Sequence, residues 1–369
     1  MKIDSGWTLL TAGALLFGGA LTGRELAASS GGGVAAFTLP ERLSATGLYA
    51  DPEVLAVDRA NRPFAPQYPL WSDGAVKRRW VRLPEGAAID TRDLNHWDFP
   101  VGTRFWKEFE FGGRKVETRM LVKTAADRWE FASYAWTEDQ RDAMLAPAEG
   151  IVAVAEVASG KWHSIPSREE CRACHDSGRT EILGFTALQL STDRDPLAPH
   201  GEALAPDMVT LQTLVDEARL APPRPELLAA PPRIAARDAR ERAVLGYLST
   251  NCGSCHNPKS SIASLGLFLQ HTADRPPSCA PDAITTTVGQ PGHWVVPTAP
   301  EGASQLVHAG RPELSAVLHR AKSRRPSSQM PPIGTVVADR EALELVSAWI
   351  TAGPGAGTAA CGTRTSSTR

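Results

Sequence analysis

The run Phe105-Trp106-Lys107-Glu108-Phe109-Glu110-Phe111-Gly112-Gly113 is followed by Arg114-Lys115-Val116-Glu117-Thr118-Arg119-Met120-Leu121-Val122-Lys123. Side chains alternate along a strand, so Phe105, Phe109 and Phe111 share one face, with Trp106, Glu108 and Glu110 on the other. Gly112-Gly113 is a two-residue hairpin signal. The return run sets Val116, Thr118, Met120 and Val122 against Lys115, Glu117, Arg119 and Lys123. Working outward, Trp129 to Trp136 forms a third run, and the stretches beginning at Ile151 and Lys161 flank Ser159-Gly160 as a second hairpin. Short strands with regular turns predict an antiparallel sandwich or barrel over residues 41–166.

Beyond that stretch the alternation ends and helix punctuation begins. Ser167 with Glu170 three residues later is a capping box. Asp207 or Pro206 opens a helix carrying Leu211, Leu214, Val215 and Leu220. Asp238 to Thr250 places Val244, Leu245, Tyr247 and Leu248 on one apolar face. Asp339 caps a last helix with Leu343, Leu345, Val346, Trp349 and Ile350, and Gly353 stops it. Residues 257–312 read as irregular. The expected fold is α+β and multidomain: the N-terminal β sandwich or barrel, then two helical cytochrome c-like haem domains at 167–236 and 237–353. A signal peptide (1–28) and linker (29–40) precede them, and a flexible tail (354–369) follows.

The chain has 369 residues, 42% hydrophobic and 22% charged, which excludes a largely disordered chain and a polytopic membrane protein. A net charge of -2 gives no electrostatic case for nucleic acid. Residues 6–23 are the one long uncharged apolar run, preceded by Lys2 and followed by Ala27, Ala28, Ser29 and Ser30. That order predicts export to the periplasm with cleavage after Ala28, the alternative being an uncleaved anchor.

Two pentapeptides carry the chemistry: Cys171-Arg172-Ala173-Cys174-His175 and Cys252-Gly253-Ser254-Cys255-His256. Cysteines three apart on a helical turn project on one side, where they reach both vinyl groups of one porphyrin. The next histidine then falls beneath the iron, so this spacing reads as c-type haem attachment. Two covalently bound haem c groups are expected, with His175 and His256 as iron ligands. A structural zinc site fits less well, because Cys174 and Cys252 are separated by 77 residues and each pair carries its own histidine. A thioredoxin-like pair lacks its βαβ setting.

The far iron ligands decide function. Met330, in Gln329-Met330-Pro331-Pro332 before the last helix, is expected to bind the second iron and raise its potential. Its alternative is a gap-filling core methionine. For the first iron the order is Met208, then His200, then an open position; His163 lies just ahead of the motif. Cys279 and Cys361 remain for one disulfide, or two unpaired thiols. Arg320, Arg324 and Arg325 would pair with haem propionates or form a solvated turn. Trp71, Trp80, Trp97, Trp106, Trp129, Trp136 and Trp162 lie in the β region, as core or as a docking platform.

The stretch from Ala239 to Ile350, with Asn251-Cys-Gly-Ser-Cys-His-Asn257 and Gln329-Met-Pro-Pro before Ala348-Trp349-Ile350, resembles a class I cytochrome c domain. That resemblance implies first and last helices crossing beside the haem, interrupted here by a long insertion at 257–312. Over nearly all the mature chain, the sequence is similar to a little-characterised family of bacterial diheme c-type cytochromes with an N-terminal β domain. The matching stretches are Leu43-Ser-Ala-Thr-Gly-Leu48, Pro69-Leu-Trp-Ser-Asp73, Lys77-Arg-Arg79, Phe99-Pro-Val-Gly102, Val116-Glu-Thr-Arg119, Tyr134-Ala-Trp136 and Ile165-Pro166. The resemblance implies two haems ligated at His175, His256 and Met330, and supplies no substrate.

Three functions follow as expectations. The preferred one is a carrier of single electrons between redox partner proteins, including a membrane redox complex approached peripherally, rather than a catalyst. The alternatives are a diheme peroxidase-type enzyme with one open haem site, and a β module that binds a partner or polysaccharide beside the haem domains.

Overall fold

A computed structural model of the chain describes residues 37–176, 181–274 and 278–354. The apolar run at 6–23, the cleavage position after Ala28 and the expected flexible tail beyond residue 354 lie outside them. β1 (Tyr49–Asp51) and β2 (Ala56–Val57) form a small pair. Next come β3 (Arg62–Pro63) and β4 (Val76–Arg82), then β5 (Ile89–Asp93) and β6 (His96–Asp98). The meander β7 (Arg104–Phe111), β8 (Arg114–Ala125), β9 (Arg128–Trp136) and β10 (Ala143–Leu145) turns first at Gly112-Gly113. The hairpin β11 (Ile151–Ala158) and β12 (Lys161–Ile165) follows, and β13 (Leu220–Ala221) comes far later. The main element is one antiparallel six-stranded sheet, ordered β10-β9-β8-β7-β4-β3.

Register fixes what each face carries. Phe105 stands opposite Leu121, Lys107 opposite Arg119, and Phe109 opposite Glu117, so the phenylalanine face of β7 is continuous with the charged face of β8. On the other side Trp106, Met120 and Ala132 form a cross-strand row, buried against Leu43, Leu48 and Tyr49. The first side buries Val81, Phe105, Trp129 and Phe131 against Phe185, Leu190, Leu211, Leu214 and Leu220. Both faces are covered, which is why β7 and β8 lack a clean alternation of apolar and polar residues.

The expected sandwich or barrel followed by two helical cytochrome c-like domains is not the fold. The β region is one six-stranded sheet with two-stranded and three-stranded pieces beside it, neither two matched sheets nor a closed ring. Strand residues (24%) outnumber helical ones (21%). Among the described residues the helices are α1 (Arg168–His175), α2 (Leu211–Asp216), α3 (Glu226–Ala229), α4 (Ala239–Asn251), α5 (Asp282–Thr285), α6 (Ala316–Lys322) and α7 (Arg340–Thr351), and only α4 and α7 exceed eight residues.

The physical reasons are local. Pro196, Pro199, Pro206, Pro222, Pro223, Pro225, Pro231 and Pro232 interrupt the segment after the first motif, and each removes a donor and fixes φ. That segment takes its burial from the sheet: its apolar residues join the sheet's own core, and β13 pairs in parallel with β5, Leu220 opposite Ile89. No residue of α1 is fully buried. Further along, α4 and α7 do pack, burying Val244, Leu248, Val346, Trp349 and Ile350, but Tyr68 from the N-terminal half completes their cluster.

Tyr68 reaches that cluster across Gly246, in the middle of α4. A Cβ at Gly246 would lie 2.1 Å from Tyr68 Cε1, and the Tyr68 hydroxyl donates to Asp195 Oδ2 at 3.0 Å. Alanine is the better helix former by ~1 kcal/mol, but overpacking of this kind costs about 1–3 kcal/mol. Gly246→Ala is therefore expected to lower the thermal midpoint by a few degrees; a higher midpoint would show that the ring does not seat there.

Candidate functional site

The first pentapeptide is a helix turn. Ser167 Oγ accepts from Glu170 N at 3.1 Å, and Ser167 N donates to Glu170 Oε2 at 2.8 Å, so the predicted capping box starts α1 three residues before Cys171. Cys171 packs against the sheet core. The His175 ring lies 5.3 Å from Phe131 of β9, and its Nδ1 is hydrogen-bonded to the Glu181 carbonyl. Burial pushes the His175 pKa down to about 4, with the positive charges of Lys107 and Arg119 adding to it and the Glu181 bond opposing. That carbonyl fixes the ring and leaves Nε2 as the outward donor.

The second pentapeptide continues the end of α4. Cys255 N and His256 N both donate to Cys252 O, at 3.1 and 2.9 Å, while Asn257 Nδ2 donates to Gly253 O and Ser254 O at 3.0 and 2.8 Å. Gly253 is required: a Cβ there would lie 2.4 Å from Ser249 O and 2.8 Å from Gln270 Cα. His256 is buried, and its Nδ1 finds no partner among the described residues. Burial lowers the pKa of His256, Arg320 lowers it further, and a backbone hydrogen bond at Leu267 opposes them.

Far apart in sequence, the two motifs meet. The Cys174 thiol lies within hydrogen-bonding reach of Cys255, and that bond together with burial raises the Cys174 pKa. Cys171, Cys174, Cys252 and Cys255 are not in disulfides. Among the described residues no group of three or more His, Cys, Asp or Glu side chains is placed to hold a bare metal ion, so the meeting is of two separate pairs. Each pair has a histidine one residue on: Nδ1 of His175 is held by a backbone carbonyl, and Nδ1 of His256 is buried with no partner among the described residues. That donor set fits a porphyrin held by two thioethers and one axial imidazole at each motif.

A third element joins the two. Asp73, buried and with φ 53°, accepts through Oδ1 from Val336 N at 2.8 Å and Val337 N at 2.9 Å. Its Oδ2 faces His163 Nδ1 at 3.3 Å, and His163 Nε2 meets Glu117 Oε1 at 3.0 Å. Burial disfavours a charged His163, but the bonds to Asp73 and Glu117 prevail and raise its pKa. Glu117 in turn holds Arg119, which feels both Cys171 and Cys174. Trp71 donates its backbone N–H to Asn251 Oδ1 at 2.7 Å, beside Cys252, and its indole N–H to Val337 O at 2.8 Å.

Met330 is half-buried in the loop that Asp73 clamps. Its N–H donates to Arg320 O at 3.0 Å, and Arg320 is close enough to act on His256. Arg324 is spent inside this loop, donating to Met330 O at 3.4 Å and Val337 O at 3.3 Å, while Arg320 lies over Trp294 at 5.6 Å. Met208 stands elsewhere: Val209 N is bonded to Pro63 O at 2.7 Å on β3, four strands from the β9 residue that touches His175. At about 4.8 Å per strand, Pro63 and that β9 residue are roughly 19 Å apart across the sheet. His200 is engaged with Asp339 at 2.9 Å and stacks on Trp71 at 5.0 Å. Cys279 is disulfide-bonded; Cys361, its expected partner, lies outside the described residues.

No family model matches the chain, and no curated protein or solved structure matches it either.

Sequence reading missed Asp73 and Lys107 as site residues. Lys107 had a signal in its parity, since it falls on the same strand face as three phenylalanines. Asp73 had only its place in the Pro69–Asp73 stretch that carries the resemblance, because its two backbone partners lie some 260 positions away. Asp73→Ala strands two half-buried N–H groups, at the low end of ~1–3 kcal/mol each, and is expected to cost about 2 kcal/mol in urea denaturation. Asp73→Asn keeps an acceptor and tolerates the left-handed backbone, so its loss should be smaller. An alanine variant as stable as wild type would remove Asp73 from this role.

Proposed function

We propose that this chain is a periplasmic diheme c-type cytochrome that passes single electrons between redox partner proteins. The observation that carries the reading is the meeting of the two Cys-x-x-Cys-His motifs at Cys174 and Cys255. Sequence spacing alone gives no reason for this, whereas electron exchange between two attached groups requires it. A haem c at each motif would supply a one-electron iron couple. The chain's own work is to hold and tune: Cys171 and Cys174, and Cys252 and Cys255, anchor; His175 and His256 ligate from one side; the loop clamped by Asp73 presents Met330 toward the second. Phe131 and the sheet core keep water from His175. Export agrees with the apolar run at 6–23, and the disulfide at Cys279 is chemistry of an oxidising compartment. Among the described residues no helix is long and apolar enough to cross a membrane.

Purified full-length chain is expected to carry two covalent haems, the second of them low-spin in the oxidised electron paramagnetic resonance spectrum. Met330→Ala should open one iron and lower that haem's reduction equilibrium at least tenfold, ~59 mV for one electron. A preparation without haem, or with zinc in its place, overturns the reading; an unchanged potential in Met330→Ala removes that ligand.

A further inference from the structure

The sheet face beneath α1 carries an anomaly of charge. Arg79, Lys107 and Arg119 stand directly opposite one another on β4, β7 and β8, and Lys77 lies on the same face of β4. Like charges directly opposite in a sheet repel, and partial burial raises the cost. Two of the four are answered by carboxylates: Arg79 by Glu202 at 2.7 Å, and Arg119 by Glu117 at 3.0 Å. Among the described residues Lys77 donates to the Leu70 carbonyl alone, at 2.5 Å. Lys107 makes no hydrogen bond or ion pair with any described residue; its ammonium lies over the Phe109 ring, 4.8 Å from the centroid. Burial, then Lys77, Arg79 and Arg119, push its pKa well down, with Glu117 opposing.

A cation kept half-buried among other cations, without an anion of its own, is a site prepared for one. Its place identifies the anion. The His175 ring packs on Phe131 at 5.3 Å, and Phe131 stands opposite Leu121, which is two positions along β8 from Arg119 on the same face with Lys107 opposite Arg119, so the row lies under the first motif. The cofactor that this motif would hold brings two carboxylates, and Lys77 and Lys107 are the two cations of this face with no carboxylate in hydrogen-bond contact among the described residues.

We propose that Lys107, with Arg119 beside it in register, is the carboxylate seat for the porphyrin attached at Cys171 and Cys174, its ammonium taking a propionate. The inference rests on the diheme reading. It assigns the β sheet a direct part in binding, which the arginines of the Met330 loop do not supply for this motif.

The test uses full-length, haem-loaded chain carrying Lys107→Met, Lys107→Arg or, as a control of equal charge on the opposite sheet face, Arg78→Gln. Resonance Raman propionate bending bands and the potential of each haem are the readouts. Lys107→Met is expected to shift the propionate band of one haem and to lower the first haem's reduction equilibrium about tenfold. Lys107→Arg should restore most of the potential while leaving the band displaced, and Arg78→Gln should alter neither. An unmoved band and potential in a two-haem Lys107→Met protein overturns the proposal, as does an equal shift of both haems or the same shift in Arg78→Gln. If the methionine variant does not mature, an unmoved band in Lys107→Arg overturns it equally. Wild-type chain without haem would instead defeat the diheme reading, so the two failures are distinct.

Discussion

Buried and held in the left-handed region, Asp73 gives one carboxylate oxygen to the backbone of Val336 and Val337 and turns the other to His163. A carboxylate accepting from two half-buried N–H groups is a strong arrangement, and neither party can leave without stranding the other. The neighbouring Trp71 adds Asn251 and Val337. Five positions of chain, from Pro69 to Asp73, thereby touch the turn before the second Cys-x-x-Cys-His, the loop of Met330 and the network beneath the first. The positions of all three follow from this short segment more than from any helix.

How much of this was legible varied with the range of the interaction. The hairpin at Gly112-Gly113, the capping box at Ser167 and Glu170, and the apolar faces of α4 and α7 are local, and alternation or helical periodicity displays them. The placement of β8 is not local. Its charged residues Glu117 and Arg119 look solvent-facing in the sequence, yet register sets them beside Phe109 and Lys107, under a covering that arrives only with His163 and α1. Reading a cytochrome c-like domain into 167–236 failed for the same reason: the prolines argued against long helices, but nothing nearby showed that Phe185, Leu190 and Leu220 would find their core on the sheet.

The candidate site divides in the same manner. The cysteines and their histidines were visible because five consecutive residues hold the whole pattern. Their meeting at Cys174 and Cys255 was not, since it depends on the Trp71–Asn251 and Gln189–Thr250 bonds that tie distant segments. Met208 drew attention as the first residue of a helix, whereas its neighbour Val209 is claimed by Pro63 at the far edge of the sheet.

The parallel pairing of β13 with β5 carries a kinetic consequence. The meander β7 to β10 is built from neighbours and can form as soon as it leaves the ribosome. Its inner face, with Phe105, Trp129 and Phe131, is covered only in part, by Phe64 and Phe99, until Leu220 reaches Ile89 and brings Phe185, Leu211 and Leu214 with it. Closure over so long a loop is slow relative to hairpin formation. During that interval the chain displays an aromatic surface that invites association with other nascent chains. A shortened product ending at residue 166 would retain that surface permanently, which makes the β region a poor candidate for life as a separate domain.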